Sequence, residues 1–262
     1  MKLASSLQRT SLGLVAALAI VGCALEPVNE TPMGDEAADK AAEVAHRIAE
    51  LKQHIVGISL ANQAREDNFE EVSAELWPYV DELVALAPPR VDEETLAYVV
   101  GSWWQLWSNL EDMGPGFIKM NREKIYQVVS PDNYYYNFGE SKVAGLFKTT
   151  GVLRGAYALG ELGASSFNIE FTKVGFLLGG LRANPDLISL AQDIEAGEQW
   201  VGSFGSGEAP NGPVGITGKL TTLYVDDELR IAGGSQDTFV DAESGEIVEG
   251  RAQLLFVLVR AQ

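Results

Sequence analysis

Cysteine and histidine are almost missing from this chain. It carries a single Cys, Cys23, and two His, His46 and His54. Chemistry that leans on those side chains is correspondingly excluded. The sequence holds no paired-cysteine zinc spacing, no His-Glu-x-x-His run and no Gly-x-x-x-x-Gly-Lys-Ser/Thr phosphate loop. His46 and His54 sit among Glu43, Arg47 and Glu50, eight residues apart on one helix and too far from each other to share a metal directly. "GSFGSG" at 202–207 is a plain glycine loop. It has no neighbouring Lys, and Phe204 stands where a nucleophile elbow needs its serine. Positive charge is scarce as well: 19 Lys and Arg face 37 Asp and Glu, for a formal charge of −18. Such a chain repels nucleic acid, and it offers no basic stripe to offset that. Its carboxylates are spread along the chain, and no one pair stands out as an acid/base couple or a calcium loop. The expectation is therefore no catalytic residues, no metal, no cofactor and no nucleic-acid partner.

What is present begins with a leader. "MKLASSLQRTS" carries Lys2 and Arg9 and no acid, and "LGLVAALAIV" follows it. About ten apolar residues make a signal-peptide core and are too short to span a bilayer. Ile20 to Cys23 then resembles the lipobox of bacterial lipoproteins. The resemblance implies removal of residues 1–22 and lipidation at Cys23. Acyl chains worth about 0.8 kcal/mol per buried CH₂ would hold the mature chain on a membrane. In the lipoproteins it resembles, Ala24 rather than Asp at this place implies the outer membrane. Loss of Lys2 and Arg9 takes the charge from −18 to −20.

Residues 23–34, with two prolines and a glycine, read as a flexible tether. Residues 35–100 read as helical. Val44, Ile48, Leu51, Ile55 and Ile58 form one apolar stripe. Asn68 to Glu71 looks like a capping box for a second helix, with Val72, Leu76, Tyr79, Leu83 and Leu86 on its apolar face. Pro78 should kink that helix and "APPR" at 87–90 should end it. Asp92 should cap a short third helix.

After Gly101 the period changes from 3.6 to 2. Short alternating runs follow: "GSWWQLWS", "KIYQVV", "YYYNF", "LFKTTGVL", "SSFNIEF", "QWVGSF", "KLTTLYV", "LRIAG" and "AQLLFVLVR". Turn residues separate them at 130–133, 160–163, 225–228 and 244–246. "LISLAQDIEAGEQ" has room for a short helix. In the last run Leu254, Phe256 and Leu258 face one way and Leu255, Val257 and Val259 the other. Both faces are apolar, so both must be covered. The expected fold is mainly β: an antiparallel, lipocalin-like barrel over 101–262 behind the helices of 35–100, which close over its outside or one end.

A small barrel of about eight strands has room for one ligand. Strand alternation places Trp103, Gln105 and Trp107 on one face and Trp104, Leu106 and Ser108 on the other. It likewise groups Tyr134, Tyr136 and Phe138, and Phe167, Ile169 and Phe171. These nine residues, Gln105 supplying the polar group, are the candidate lumen lining. Aromatic rings of this kind also serve simply as core.

Gly101-Ser102-Trp103 resembles the opening of lipocalins and other calycin barrels. A wider resemblance covers roughly residues 50–260. The chain is similar to the plastid lipid-associated protein (fibrillin) domain. "LYVDDELRIAGG" carries it through Tyr224, Asp226, Leu229, Arg230 and Ile231. "GSWWQLWSN" adds Gly101, Trp103 and Ser108, and Gln127, Asn137 and "LLFVLVR" fit the family's later strands. Gln105 replaces an apolar residue, Gly233 stands where a second Arg is usual, and residues 241–250 look inserted. The resemblance implies a barrel that binds lipids, carotenoids or isoprenoid quinones without catalysis, with Gly101, Asp226, Leu229 and Arg230 as structural motif residues. The expectation is a lipid-anchored envelope protein that binds a hydrophobic small molecule. The alternatives are an envelope lipoprotein whose barrel is filled by its own side chains, and an enzyme acting on a lipid-like substrate.

Overall fold

Eight antiparallel strands close on themselves, each hydrogen-bonded to the next in sequence and the last to the first. The computed structural model describes residues 34–261 apart from 66, 89–91, 111–117, 144, 183–184, 198–213, 216 and 241–246. The leader, the Cys23 lipidation site, nearly all of the tether, the "QWVGSF" strand, the "GSFGSG" loop and the 244–246 turn lie outside the described residues. From Ala41 to Gln262 the chain forms one compact unit.

The helices come first: α1 (Gly34–Ala61), α2 (Phe69–Leu86) and α3 (Asp92–Val99). The α1 stripe buries Leu51 and Ile55 completely. In α2 the buried set is Val72, Leu76, Val80 and Leu83. Tyr79 instead stacks on His54 at 5.4 Å. The helix runs through Pro78 without ending. The capping box is not formed. Asn68 occupies the cap position, but its side chain makes no capping bond and donates instead to Asn62 Oδ1 at 3.0 Å, closing the α1–α2 turn. Arg47 grips Glu82 with two bonds of 2.6 and 2.8 Å, tying α1 to α2. Asp92 is the first residue inside α3 rather than its cap.

The strands are β1 (Gly101–Ser108), β2 (Ile118–Val129), β3 (Tyr134–Val143), β4 (Phe147–Gly160), β5 (Gly163–Leu178), β6 (Thr217–Val225), β7 (Leu229–Val240) and β8 (Ile247–Arg260). A further helix, α4 (Leu187–Ala196), follows β5. Asp186 caps it by accepting from Ser189 N at 3.0 Å. Of the stretch that looked inserted, residues 241–246 lie outside the described residues and 247–250 belong to β8, where Ile247, Val248 and Glu249 pair with Val240, Phe239 and Thr238.

Three apolar clusters follow from strand parity. Leu254, Phe256 and Leu258 point into the barrel with Trp103, Val129, Tyr135, Tyr157, Phe167 and Ile169. Leu255 and Val257 point out, under α1 and α2. Both faces of β8 are covered, as its uninterrupted apolar run requires. The third cluster lies outside β2–β4, beneath Leu187, Ala191 and Ile194 of α4. The α3 helix closes one end: Leu96, Tyr98, Val99 and Val100 pack onto the inner cluster. At Gly163, with φ +60°, an added Cβ would strike the Asp92 carboxylate at the start of α3.

Candidate functional site

Residues paired directly across a ladder share a face, so the lining can be followed around the barrel. Gln105 pairs with Leu258, Leu258 with Arg230, and Arg230 with Val225. In the other direction Trp103 pairs with Gln127, Gln127 with Asn137, and Asn137 with Leu153. Leu258, Val225 and Trp103 belong to the inner cluster. Gln105, Gln127, Asn137 and Arg230 therefore face the lumen with them.

Of the nine candidate lining residues, five face inward: Trp103, Gln105, Phe167, Ile169 and Phe171. Trp103 is committed to the closed end. Its indole donates to Val99 O at 2.8 Å and its ring lies 3.9 Å under the Arg260 guanidinium. Phe167 meets Tyr157 edge-on at 5.0 Å. Gln105 donates to Ser108 Oγ at 3.0 Å.

Trp107 faces outward, contrary to simple alternation. The β1–β8 register slips between Gln105 and Trp107, so Trp107 pairs with outward Val257 and Ser108 with inward Phe256. A bulge adds one residue and inverts the parity beyond it. Trp107 packs under α1 and α2 with Leu255 and Ile231. Its indole nitrogen is buried without a partner among the described residues.

Tyr134, Tyr136 and Phe138 are also outside, in the cluster beneath α4. Tyr136 donates to Glu195 Oε1 at 2.8 Å. Arg154 binds the same carboxylate at 2.7 Å and lies 4.8 Å over the Tyr134 ring. Burial and then the bond to Glu195 push the Tyr136 hydroxyl far above the usual tyrosine range. The lumen receives the intervening residues, Tyr135 and Asn137. The Tyr135 hydroxyl shares a hydrogen bond with Asn137 and is raised by burial.

The motif residues divide between turn and lumen. Asp226 builds the β6–β7 turn: its Oδ1 accepts from Glu228 N and Leu229 N, both at 2.8 Å. Its Oδ2 accepts from Tyr224 and from Lys52 of α1, both at 2.7 Å. Leu229 is buried beneath the helices. Gly101, at φ +131°, leaves space that an added Cβ would take from Arg260 Nη1.

Arg230 turns inward between Leu229 and Ile231 and is 0% exposed. Among the described residues none of its three nitrogens has a hydrogen-bond partner. The charged or ionisable groups that bear on it are Tyr135 and Arg260. Burial pulls its guanidinium down to about 10, which leaves it a cation at neutral pH. Two further buried lumen atoms, Gln127 Oε1 and Thr222 Oγ1, also lack partners. Sequence reading assigned Arg230 to a structural motif and missed this role. The only signal was one basic residue between the apolar Leu229 and Ile231.

Among the described residues no three His, Cys, Asp or Glu side chains group to hold a metal ion. No helix among them is long and apolar enough to cross a membrane. No protein-family model matches the chain, and no curated protein sequence matches it.

Proposed function

We propose that this chain binds a hydrophobic small molecule inside its barrel, in a carrier or structural role like that implied by the fibrillin resemblance, and that Cys23 ties it by lipid to an envelope membrane. A closed eight-stranded barrel is the architecture that this reading needs. Phe167, Ile169, Phe171 and Phe256 supply apolar wall, and burial against such a wall is worth about 25 cal/mol per Å².

One observation carries the reading beyond fold: polar lumen atoms on Arg230, Gln127 and Thr222 have no partner among the described residues. Buried polar groups are paired in native proteins, with protein, water or ligand. A barrel filled only by its own side chains, with neither ligand nor water inside it, would strand these groups. That costs about 1–3 kcal/mol for each neutral group and more for a charged one.

The test is to purify the full chain from its host, extract it with organic solvent and analyse the extract by mass spectrometry. A lipid, quinone or carotenoid at stoichiometric amount supports the reading. An empty extract, together with no uptake of an apolar fluorescent probe, leaves the barrel as filled core.

A further inference from the structure

We propose that the lumen ligand is an acid, a monoanionic carboxylate on an apolar chain, and that Arg230 is the residue that seats its head group. The inference rests on the proposed binding function and specifies its chemistry.

The argument starts from what the guanidinium lacks. It is wholly buried and charged, and among the described residues nothing accepts from it. A buried cation is strongly disfavoured until an anion or several acceptors face it. Among the described residues, the groups that the ladder pairing places around it are neutral: Tyr135 bonded to Asn137, with Gln127 and Thr222 whose oxygens are still free. Arg260, the other lumen-end cation, is already occupied. It donates to Val100 O at 3.0 Å and Tyr98 O at 2.7 Å, over the Trp103 ring. Among the described residues, Arg230 is thus a positive charge with no counter-charge against it.

One charge matches one negative charge. A carboxylate meets the planar guanidinium fork with two parallel bonds, whereas a phosphate monoester dianion would leave a net negative charge in a closed lumen. The apolar tail lies against Phe167, Ile169, Phe171 and Phe256, which line the same space. A hydrocarbon carotenoid would leave the guanidinium unpaired, and a quinone carbonyl accepts from it but brings no negative charge.

The test uses the full-length lipidated chain in lipid nanodiscs and four probes of equal chain length: palmitic acid, palmityl alcohol, methyl palmitate and hexadecyl phosphate. Each is measured by displacement of an apolar fluorescent probe. The expected result is that palmitate binds at least tenfold tighter than the alcohol or the ester. In Arg230→Met the acid falls to the alcohol's affinity while the alcohol's own affinity is kept. Arg230→Lys, which keeps the charge but not the fork, restores part of the preference. In wild-type protein the carboxyl ¹³C resonance of labelled palmitate stays ionised to lower pH than in nanodiscs alone, a readout that needs no variant to fold. Equal binding of acid and alcohol would overturn the head-group assignment and leave the carrier reading standing. Preference for the phosphate would overturn the carboxylate. Displacement by none of the four would overturn the acid, and failure of the apolar probe itself to bind would overturn both readings.

Discussion

The Arg260 guanidinium lies 3.9 Å over the Trp103 ring while its two terminal nitrogens hold Tyr98 O and Val100 O, at 2.7 and 3.0 Å. One side chain near the end of the last strand thereby fastens the first strand and the helix that closes the barrel. The carbonyls it covers sit at the end of α3, where helical acceptors lack partners of their own.

Removing that side chain should loosen the closed end. Arg260→Ala uncovers two carbonyls and an aromatic face, an expected loss of about 2–3 kcal/mol. Arg260→Lys should recover only part of it, because a point charge cannot serve both carbonyls and the ring. Gly101→Ala should cost a similar amount. Its φ of +131° is disfavoured for any L side chain, and the new Cβ displaces Arg260. Urea midpoints of the three variants check this, with Gly101→Ala and Arg260→Ala non-additive in the double variant.

The two tryptophans separate by their indole nitrogens. Trp107 buries an N–H without a partner, so Trp107→Phe removes a desolvated donor along with some packing. The expected cost is under about 1.5 kcal/mol. Trp103→Phe strips Val99 O of its 2.8 Å donor and weakens the stack with Arg260. It should cost about 2 kcal/mol or more. Denaturant unfolding followed by circular dichroism ranks them, and a larger loss at Trp107 would contradict the inward and outward assignment.

Acid should weaken the grip of α1 on the β6–β7 turn. Burial pushes the Asp226 carboxyl up, but Lys52, the Tyr224 hydroxyl and two backbone N–H groups together hold it below its ordinary value. A folded value below the unfolded one, about 3.9, means the stabilisation is fully present above that pH. It is lost as pH falls through the lower folded value. Lys52 is shifted the opposite way: burial lowers it, but Asp226 and Glu228 raise it further. Its share is therefore present below about 10.4 and lost as pH rises beyond. Asp226→Asn should cost about 1 kcal/mol at pH 7, modest because both groups are partly solvated. The difference from wild type should shrink as pH falls below about 3.9, which unfolding midpoints taken across pH would show.

Much of the fold was legible because β8 is apolar on both faces. That pattern required two covers, and the lumen and the α1–α2 pair supply them. The lining was less legible, for three physical reasons. A bulge cannot be seen in a run such as "GSWWQLWS", and it alone turns Trp107 outward. In "YYYNF" both parities offer large polar aromatics, so hydrophobicity does not choose between them. The choice was made by α4, whose Leu187 and Ile194 cover Tyr136 and Phe138. Arg230 was hidden for a third reason: a sequence names an arginine but does not reveal that no acceptor reaches it.

The Tyr135 and Tyr136 pair tests that parity directly. The two residues are adjacent, have the same side chain and point to opposite faces of β3. Tyr136→Phe removes the hydroxyl that donates to Glu195 and leaves the lumen intact. Amide exchange across α4 should accelerate several-fold, while displacement of an apolar lumen probe stays at the wild-type value. Tyr135→Phe removes a hydroxyl beside Asn137 and Arg230. It should change the affinity for an acid probe and leave α4 exchange untouched. The reverse pattern, with Tyr136 governing the probe and Tyr135 governing α4, would mean that the outward aromatic stripe is the true lining. Both substitutions keep the ring and its packing, so each readout reports one hydroxyl on one face.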